Sequence, residues 1–251
     1  MGSPQYFMEI DMKDKTALVT GASRGIGRGC AVALGKICGA VAVNYRNREK
    51  EAEETCRIIE SNGGKAFPCH ADVSQANEVK AMLGEISVHR GNVSILVNNA
   101  GILTKRSLEE ITEGDWDEAL TVNLKSAFLV TQAVLPAMRK SGWGRIINIS
   151  SIAAYGGGKA GPHYAASKAG LNGMTNAYAN TLAGEGITVN GIAPGGIETE
   201  MLTEDLGVRS PRAPVGRFGR SDEVGMIVAM LVENSYITGQ TISVDGGMYM
   251  R

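Results

Sequence analysis

The chain has 251 residues, 43% of them apolar, and a formal net charge of −1 at pH 7. That length and apolar content fit one α/β domain or two small ones with a large core, and the near-zero charge argues against a nucleic-acid or anionic-membrane surface. No apolar run reaches the roughly 18 residues that a bilayer span needs, no signal-peptide pattern is present, and Tyr6 spoils a myristoylation match after Gly2, so a cytoplasmic, reduced protein is expected.

Residues 1–11 read as a loose tail. Short apolar runs then alternate with helical patterns. Strands are expected over Thr16–Thr20, Ala40–Tyr45, Ala66–His70, Ser94–Asn98, Arg145–Ser150, Thr188–Ala193 and Thr241–Val244, and helices over Glu49–Ser61, Glu78–His89, Trp116–Lys140 and Tyr164–Leu182. The strand runs show little alternation, as expected where helices cover both faces of a sheet. Strand-helix alternation implies right-handed crossovers and a parallel sheet. No repeat or linker divides the chain, so 1–251 reads as one domain. Residues 199–220, including the Pro-, Gly- and Arg-rich stretch Thr203–Arg220, read as a substrate loop or lid.

The first strand runs into Thr20-Gly21-Ala22-Ser23-Arg24-Gly25-Ile26-Gly27, which opens a helix. Glycines there permit a tight turn and let backbone N–H groups approach a pyrophosphate at the helix N-terminus. Arg46 follows the second strand where folds preferring NAD place an acid. Arg24 and Arg46 would clamp a 2′-phosphate; alternatively Arg46 is a solvated loop charge. Cys30, Cys38, Cys56 and Cys69 form no metal spacing, no metal site is expected, and Cys30 and Cys38 read as core. Asp72, before Val73-Ser74, would cap the next helix, meet an adenine amino group, or do both.

Asn98-Asn99-Ala100-Gly101 ends the fourth strand as a polar turn suited to a ligand. Asn123 sits within an apolar helical stretch where asparagine is a poor choice. It reads either as a satisfied core amide or as the holder of a relay water. Ser151 follows the fifth strand. Tyr164 lies four residues before Lys168, so both share one helix face, about 5–6 Å apart at Cβ. A neighbouring ammonium favours the phenolate and lowers the phenol pKa. Together with the glycine loop, the pair reads as proton transfer coupled to hydride transfer. His163 adjoins Tyr164 but should point elsewhere. No Ser-His-Asp order and no G-x-S-x-G are present, so hydrolysis is not expected.

With these words in this order, the chain resembles the short-chain dehydrogenase/reductase family in its single-domain form, from Met12 to Arg251. Gly144–Ser151, Gly186–Asn190, Tyr236–Gln240 and Asp245–Met250 are similar to the 3-oxoacyl-carrier-protein reductases of fatty-acid synthesis. The resemblance implies a doubly wound Rossmann fold with a seven-stranded parallel sheet, NADP(H) as cofactor and a homotetramer. It implies that Tyr164 is the acid-base group, that Lys168 lowers its pKa and holds the nicotinamide ribose, that Ser151 bonds the substrate oxygen, and that Asn123 holds a relay water. It implies a cofactor held by Gly21, Ser23, Arg24, Gly25, Ile26, Gly27 and Arg46. Asp72 and Val73 would meet the adenine; Asn99, Ala100 and Gly101 would line the cofactor; and Pro194, Gly195, Ile197 and Thr199 would flank the carboxamide.

The activity so implied is NADPH-dependent reduction of a ketone, with a 3-oxoacyl thioester as the first reading. A free ketone, sugar or polyol is the alternative substrate. A silent nicotinamide-binding sensor or scaffold is the reading from a different class. Where carrier-protein reductases often carry basic residues, this chain has Ser141-Gly142-Trp143 and Gly184-Glu185. An acidic acyl carrier is therefore a weakened partner, met by Arg139, Lys140, Arg145, Arg209, Arg212, Arg217 and Arg220.

Overall fold

The computed structural model describes residues 11–202 and 213–250, so most of the expected tail and the centre of the expected lid, with Arg209 and Arg212, lie outside the described residues. Seven strands among those residues form one parallel sheet: β1 (Thr16–Val19), β2 (Ala40–Tyr45), β3 (Ala66–His70), β4 (Val93–Asn98), β5 (Gly144–Ile149), β6 (Ile187–Pro194) and β7 (Thr241–Val244). Their order is β3-β2-β1-β4-β5-β6-β7, the doubly wound arrangement that was expected. Each expected strand is present, with ends moved by one residue at most.

The helices are α1 (Gly25–Ile37), α2 (Glu49–Ser61), α3 (Ala76–Arg90), α4 (Glu113–Leu120), α5 (Ser126–Ser141), α6 (Ala153–Gly156), α7 (Pro162–Leu182) and α8 (Ser221–Glu233). Successive strand residues point to opposite faces. Ala17, Val19, Ile95 and Val97 therefore join the core under α1, α2 and α8, while Leu18, Leu96 and Ile146 join the one under α3, α5 and α7. Burying each Leu, Ile or Val side chain is worth about 1.5–3 kcal/mol, which is why these runs carry no polar alternation. Cys30, Cys38, Cys56 and Cys69 are free and buried in these two cores, and burial pushes the Cys30 and Cys38 thiols up to about 12.

Two local expectations change. The single helix expected over Trp116–Lys140 is three segments. Thr112 and Asp115 open α4 with a reciprocal capping box, a wide turn with i→i+5 hydrogen bonding occupies Thr121–Lys125, and α5 follows. The wide turn contains Asn123, whose amide bonds outside its own helix. Val73 and Ser74 do not open α3, which begins at Ala76. Asp72 instead accepts from the Ser74 amide at 2.9 Å and hydroxyl at 2.7 Å, closing an Asx turn before the helix.

Helices α1 and α8 cross at backbone contact. A Cβ on Gly29 would collide with the Ser221 carbonyl and stand 2.8 Å from the Ser221 Cβ, and one on Gly225 would stand 2.5 Å from the Gly29 carbonyl oxygen. Alanine is favoured over glycine inside a helix by about 1 kcal/mol, but overpacking a tight contact costs about 1–3 kcal/mol. Gly29→Ala is therefore expected to lower the unfolding free energy in a urea titration. A gain in stability would show that α8 can shift away.

Candidate active site

The sheet order reverses between β1 and β4, and ligands of such sheets bind outside the carboxyl ends of the strands at that point. Here a cavity of about 680 Å³ opens there. Its floor is a lock between two strand ends. The Thr20 hydroxyl accepts from the amides of Asn99 at 2.9 Å and Ala100 at 3.0 Å, and the Asn99 side-chain amide donates to the carbonyls of Thr20 at 2.9 Å and Gly21 at 3.0 Å. Gly21 has φ +60°, and a Cβ on it would lie 2.9 Å from the Ala100 Cα. Glycine is needed there for both backbone conformation and approach.

The first turn of α1 faces the cavity. Its N-cap residue, Arg24, offers no side-chain cap, so the leading N–H groups remain for an anion. Arg28, which the sequence reading missed, pins the loop behind: its guanidinium donates to the Ser23 carbonyl at 2.7 Å and to Thr55 Oγ1 at 2.9 Å. Its position four residues after Arg24 was the available signal. Asn44 was also missed. It is a buried polar residue in an apolar strand; it accepts from the Gly21 amide at 3.1 Å and donates to the Ala71 carbonyl at 3.2 Å. Arg24 reaches Glu200 and Arg46 reaches Asp72, each at 3.4 Å. Both guanidiniums line the cavity mouth.

At the other end α7 carries Tyr164 and Lys168, both buried. Ser151 Oγ accepts from the Ala153 amide at 3.1 Å, and its hydroxyl is near enough to the Tyr164 phenol to favour the phenolate. Lys168 Nζ donates to the Ile149 carbonyl at 2.9 Å and lies 5.8 Å from the Tyr164 ring centroid. The expected depression of the Tyr164 pKa is not what this site shows. Burial pushes the phenol up, opposed by the Ser151 hydroxyl, and it pushes the Lys168 ammonium down to about 8. Removal from water disfavours both charged forms, and here that outweighs their mutual attraction.

The cavity is lined by every expected cofactor residue except Asp72 and Val73, and by Ser151, Tyr164 and Lys168. Asn123 stands one layer behind. Its oxygen accepts from the Ile102 amide at 2.7 Å, and its amide donates to the Ile102 carbonyl at 3.1 Å and the Ser167 hydroxyl at 3.0 Å. His163 is turned away, bonded through Nε2 to the Thr104 carbonyl at 2.8 Å. The described part of 199–220 leaves and returns at one hinge, where Glu198 N donates to the Gly219 carbonyl at 2.8 Å and Gly219 N to the Gly196 carbonyl at 2.9 Å.

The buried ammonium has a consequence for stability. Lys168 is depressed to about 8 in the fold and titrates near 10.4 when unfolded. Between those values the unfolded chain binds more protons, so stability rises with pH. The gain should be roughly 1 kcal/mol per pH unit inside that window. The expected outcome is that the unmodified protein gains on Lys168→Met in urea titrations between pH 8 and 9.5; parallel pH profiles would place the ammonium in contact with water.

The family model for short chain dehydrogenases matches residues 15–207. A 3-oxoacyl-(acyl-carrier-protein) reductase of Staphylococcus aureus is 42% identical, covering 94% of this chain and 98% of the relative. One of Pseudomonas aeruginosa is 40% identical, covering 96% and 100%. Among solved structures, a gluconate 5-dehydrogenase of Burkholderia cenocepacia in complex with NADP and tartrate has a TM-score of 0.86 at 35% identity, over 95% of this chain and 97% of that one. A putative gluconate dehydrogenase of Agrobacterium tumefaciens has a TM-score of 0.88 at 31% identity, over 96% and 98%. With the glycine loop, Ser151, Tyr164 and Lys168 gathered at the switch point of a doubly wound sheet, the chain belongs to the short chain dehydrogenase family.

Proposed function

We propose that this protein is an NADPH-dependent reductase of 3-oxoacyl thioesters. The observation that carries the reading is the buried Tyr164 phenol, set beside Lys168 and Ser151 at the end of a cleft that is lined in part by large apolar side chains. Leu103, Ile152, Met201, Leu202 and Phe218 supply that lining. An acyl tail packs against these side chains without needing hydrogen bonds, while Lys159, Glu200 and Arg217 line other parts of the same cavity. The 40–42% identical relatives described as 3-oxoacyl-(acyl-carrier-protein) reductases support the same substrate class.

The residues fit NADP(H). The glycine loop and the free N–H groups of α1 suit the pyrophosphate, and Arg24 and Arg46 suit the 2′-phosphate. Leaving Glu200 and Asp72 costs each arginine little, because exposed ion pairs are worth about 0–1 kcal/mol, whereas a hydrogen bond to a charged group is worth about 1.5–3 kcal/mol. Asp72, placed against Arg46 rather than in the cavity lining, would reach the adenine with Val73 from the cavity's edge. Pro194, Gly195, Ile197 and Thr199 form the wall that would meet the carboxamide. When bound, the nicotinamide supplies a hydride to the carbonyl carbon. Tyr164 gives its proton to the carbonyl oxygen, and its raised pKa keeps that proton in place until charge develops there. Ser151 steadies the same oxygen. Lys168 keeps two ammonium hydrogens for ribose hydroxyls after serving Ile149. Asn123 spends both amide hydrogens on Ile102 and Ser167, so a relay water would meet its remaining oxygen lone pair.

Of the described basic residues expected to meet an acyl carrier, the arginines already have partners, while Lys140 is exposed on α5. Arg145 is no docking residue: it is buried, donates to the Val232 carbonyl at 3.0 Å and lies over Trp143 at 4.5 Å. Arg139 is held by Glu185 at 2.7 Å, Arg217 by Glu223 at 2.6 Å and Arg220 by Asp222 at 2.9 Å. Coenzyme A thioesters should therefore serve nearly as well as carrier-linked ones. Trp116 and Phe128, 40% and 45% exposed on α4 and α5, read as subunit contacts of a homotetramer. The reading places the enzyme in the cytoplasm.

NADPH oxidation with acetoacetyl-CoA beside simple ketones and gluconate-type polyols tests the substrate class. Preference for a polyol couple would overturn it, and tight NADPH binding without any turnover would revive the sensor reading. Tyr164→Phe is expected to lower kcat by about 10²–10⁴ while NADPH still binds; retention of most activity would move the proton donor elsewhere. Arg46→Asp should erase most of an NADPH-over-NADH preference expected to be at least about a hundredfold in kcat/KM. Equal use of both cofactors by the unmodified enzyme would place Arg46 outside the site.

A further inference from the structure

Beyond β7 the chain turns back over the Ser151 end of the cleft. Asp245 accepts from the amides of Gly247 at 3.0 Å and Tyr249 at 2.7 Å, which curls the segment. Two anchorages hold the curl. On one side the Gly246 carbonyl accepts from the Val215 amide at 3.2 Å, and Gly246 lies so close against the Val215 side chain that a Cβ on it would stand 2.6 Å from Val215 Cγ2. On the other side the Tyr249 ring stacks on Tyr155, with centroids 5.2 Å apart and planes 22° from parallel. Tyr155 belongs to α6, the turn of helix that directly follows Ser151 and Ile152.

Between these anchorages Met248 lines the same cleft as Tyr164 and Ile152. It stays 37% exposed, an apolar side chain kept at the cleft mouth rather than packed into the core. A methionine is unbranched and polarisable, and it adapts to irregular apolar partners. None of the catalytic or cofactor assignments above uses it.

We propose that Met248, held in place by the Tyr249–Tyr155 stack, is a specificity-determining wall that limits how long an apolar tail the cleft accepts. The proposal rests on the thioester reading above for the identity of that tail. Met248 touches the substrate; Tyr249 and Tyr155 are positioning residues that act through it.

The test compares the unmodified enzyme with Met248→Ala, Tyr249→Ala and Tyr249→Phe. The substrates are acetoacetyl-CoA and 3-oxodecanoyl-CoA, beside ethyl acetoacetate and ethyl 3-oxodecanoate, which lack coenzyme A. Met248→Ala is expected to raise kcat/KM for the long substrate relative to the short one by about tenfold, the lower end of what one methylene is worth in an apolar pocket. The change should fall on the KM of the long substrate more than on its kcat. Tyr249→Ala should shift the ratio in the same direction, and Tyr249→Phe, which keeps the ring, should restore it. NADPH binding followed by fluorescence must stay intact in each variant, which separates a moved wall from a misfolded protein. A long-to-short ratio unchanged in Met248→Ala overturns the proposal, and Tyr249→Phe behaving as Tyr249→Ala overturns the stack as its anchor. If the unmodified enzyme reduces the simple esters but neither thioester, the thioester reading fails while the wall is still read from the ester pair.

Discussion

The site depends on the polar lock that holds the ends of β1 and β4 together. Two neighbouring strands send their chains to opposite faces of the sheet there, and the gap between them must be floored without orphaned backbone groups. Thr20 and Asn99 do this with one hydroxyl and one amide, between them serving two N–H groups and two carbonyls. Because those carbonyls are turned inward and occupied, the positive end of α1 is the nearest backbone charge left to an anion in the cavity. The tight packing of Gly27 is part of the same lock: a Cβ there would press on the Gly21 carbonyl and stand 2.5 Å from the Asn99 amide nitrogen.

The reacting end is placed by a second polar network. Asn98 donates to Thr131 of α5 at 3.0 Å and to Asn148 of β5 at 2.9 Å, and Asn148 donates to Thr175 of α7 at 2.9 Å. Buried amides are costly unless paired, so these bonds hold α5 and α7 in one register against the sheet. The Ser150 hydroxyl, bonded to the Lys168 carbonyl at 2.9 Å, fixes the last turn before the site. Tyr164 and Lys168 are thereby held out of water, and both lean towards their neutral forms. A phenol that retains its proton suits a donor to a developing alkoxide, and a weakly held ammonium proton suits a relay that reloads it.

How legible all this was in the sequence differs by kind. The strands, their parallel order and the cleft position followed from apolar runs and from glycines placed between strand and helix. Those signals are local, and burial on both sheet faces writes them strongly. Tyr164 and Lys168 were legible as a pair because four residues on one helix set them on one face, whereas Ser151 stood out only through the family resemblance. Asn123 was half legible: its misfit to a helix marked it as a core amide or a water holder, but pointed neither to the wide turn nor to Ile102 and Ser167 as its partners. Arg28 and Asn44 were overlooked because each serves backbone groups that are near only in the folded chain.

The sequence by itself determined the strand-helix alternation, the glycine loop and the four-residue spacing of Tyr164 and Lys168, because each rests on periodicity or spacing within a short stretch; the doubly wound order came from the family resemblance. Only the tertiary structure decided what the charged and exposed side chains do. Arg145 reads as a surface base and is instead a buried ligand of the Val232 carbonyl. Glu185 reads as a repulsive charge and is instead neutralised by Arg139. Met248 stands in the Asp245–Met250 stretch that carries part of the resemblance, and only the fold shows that it lines the cleft. A charge or an apolar tip takes its meaning from its neighbours in space, and burial and long-range pairing set those neighbours only when the sheet is assembled.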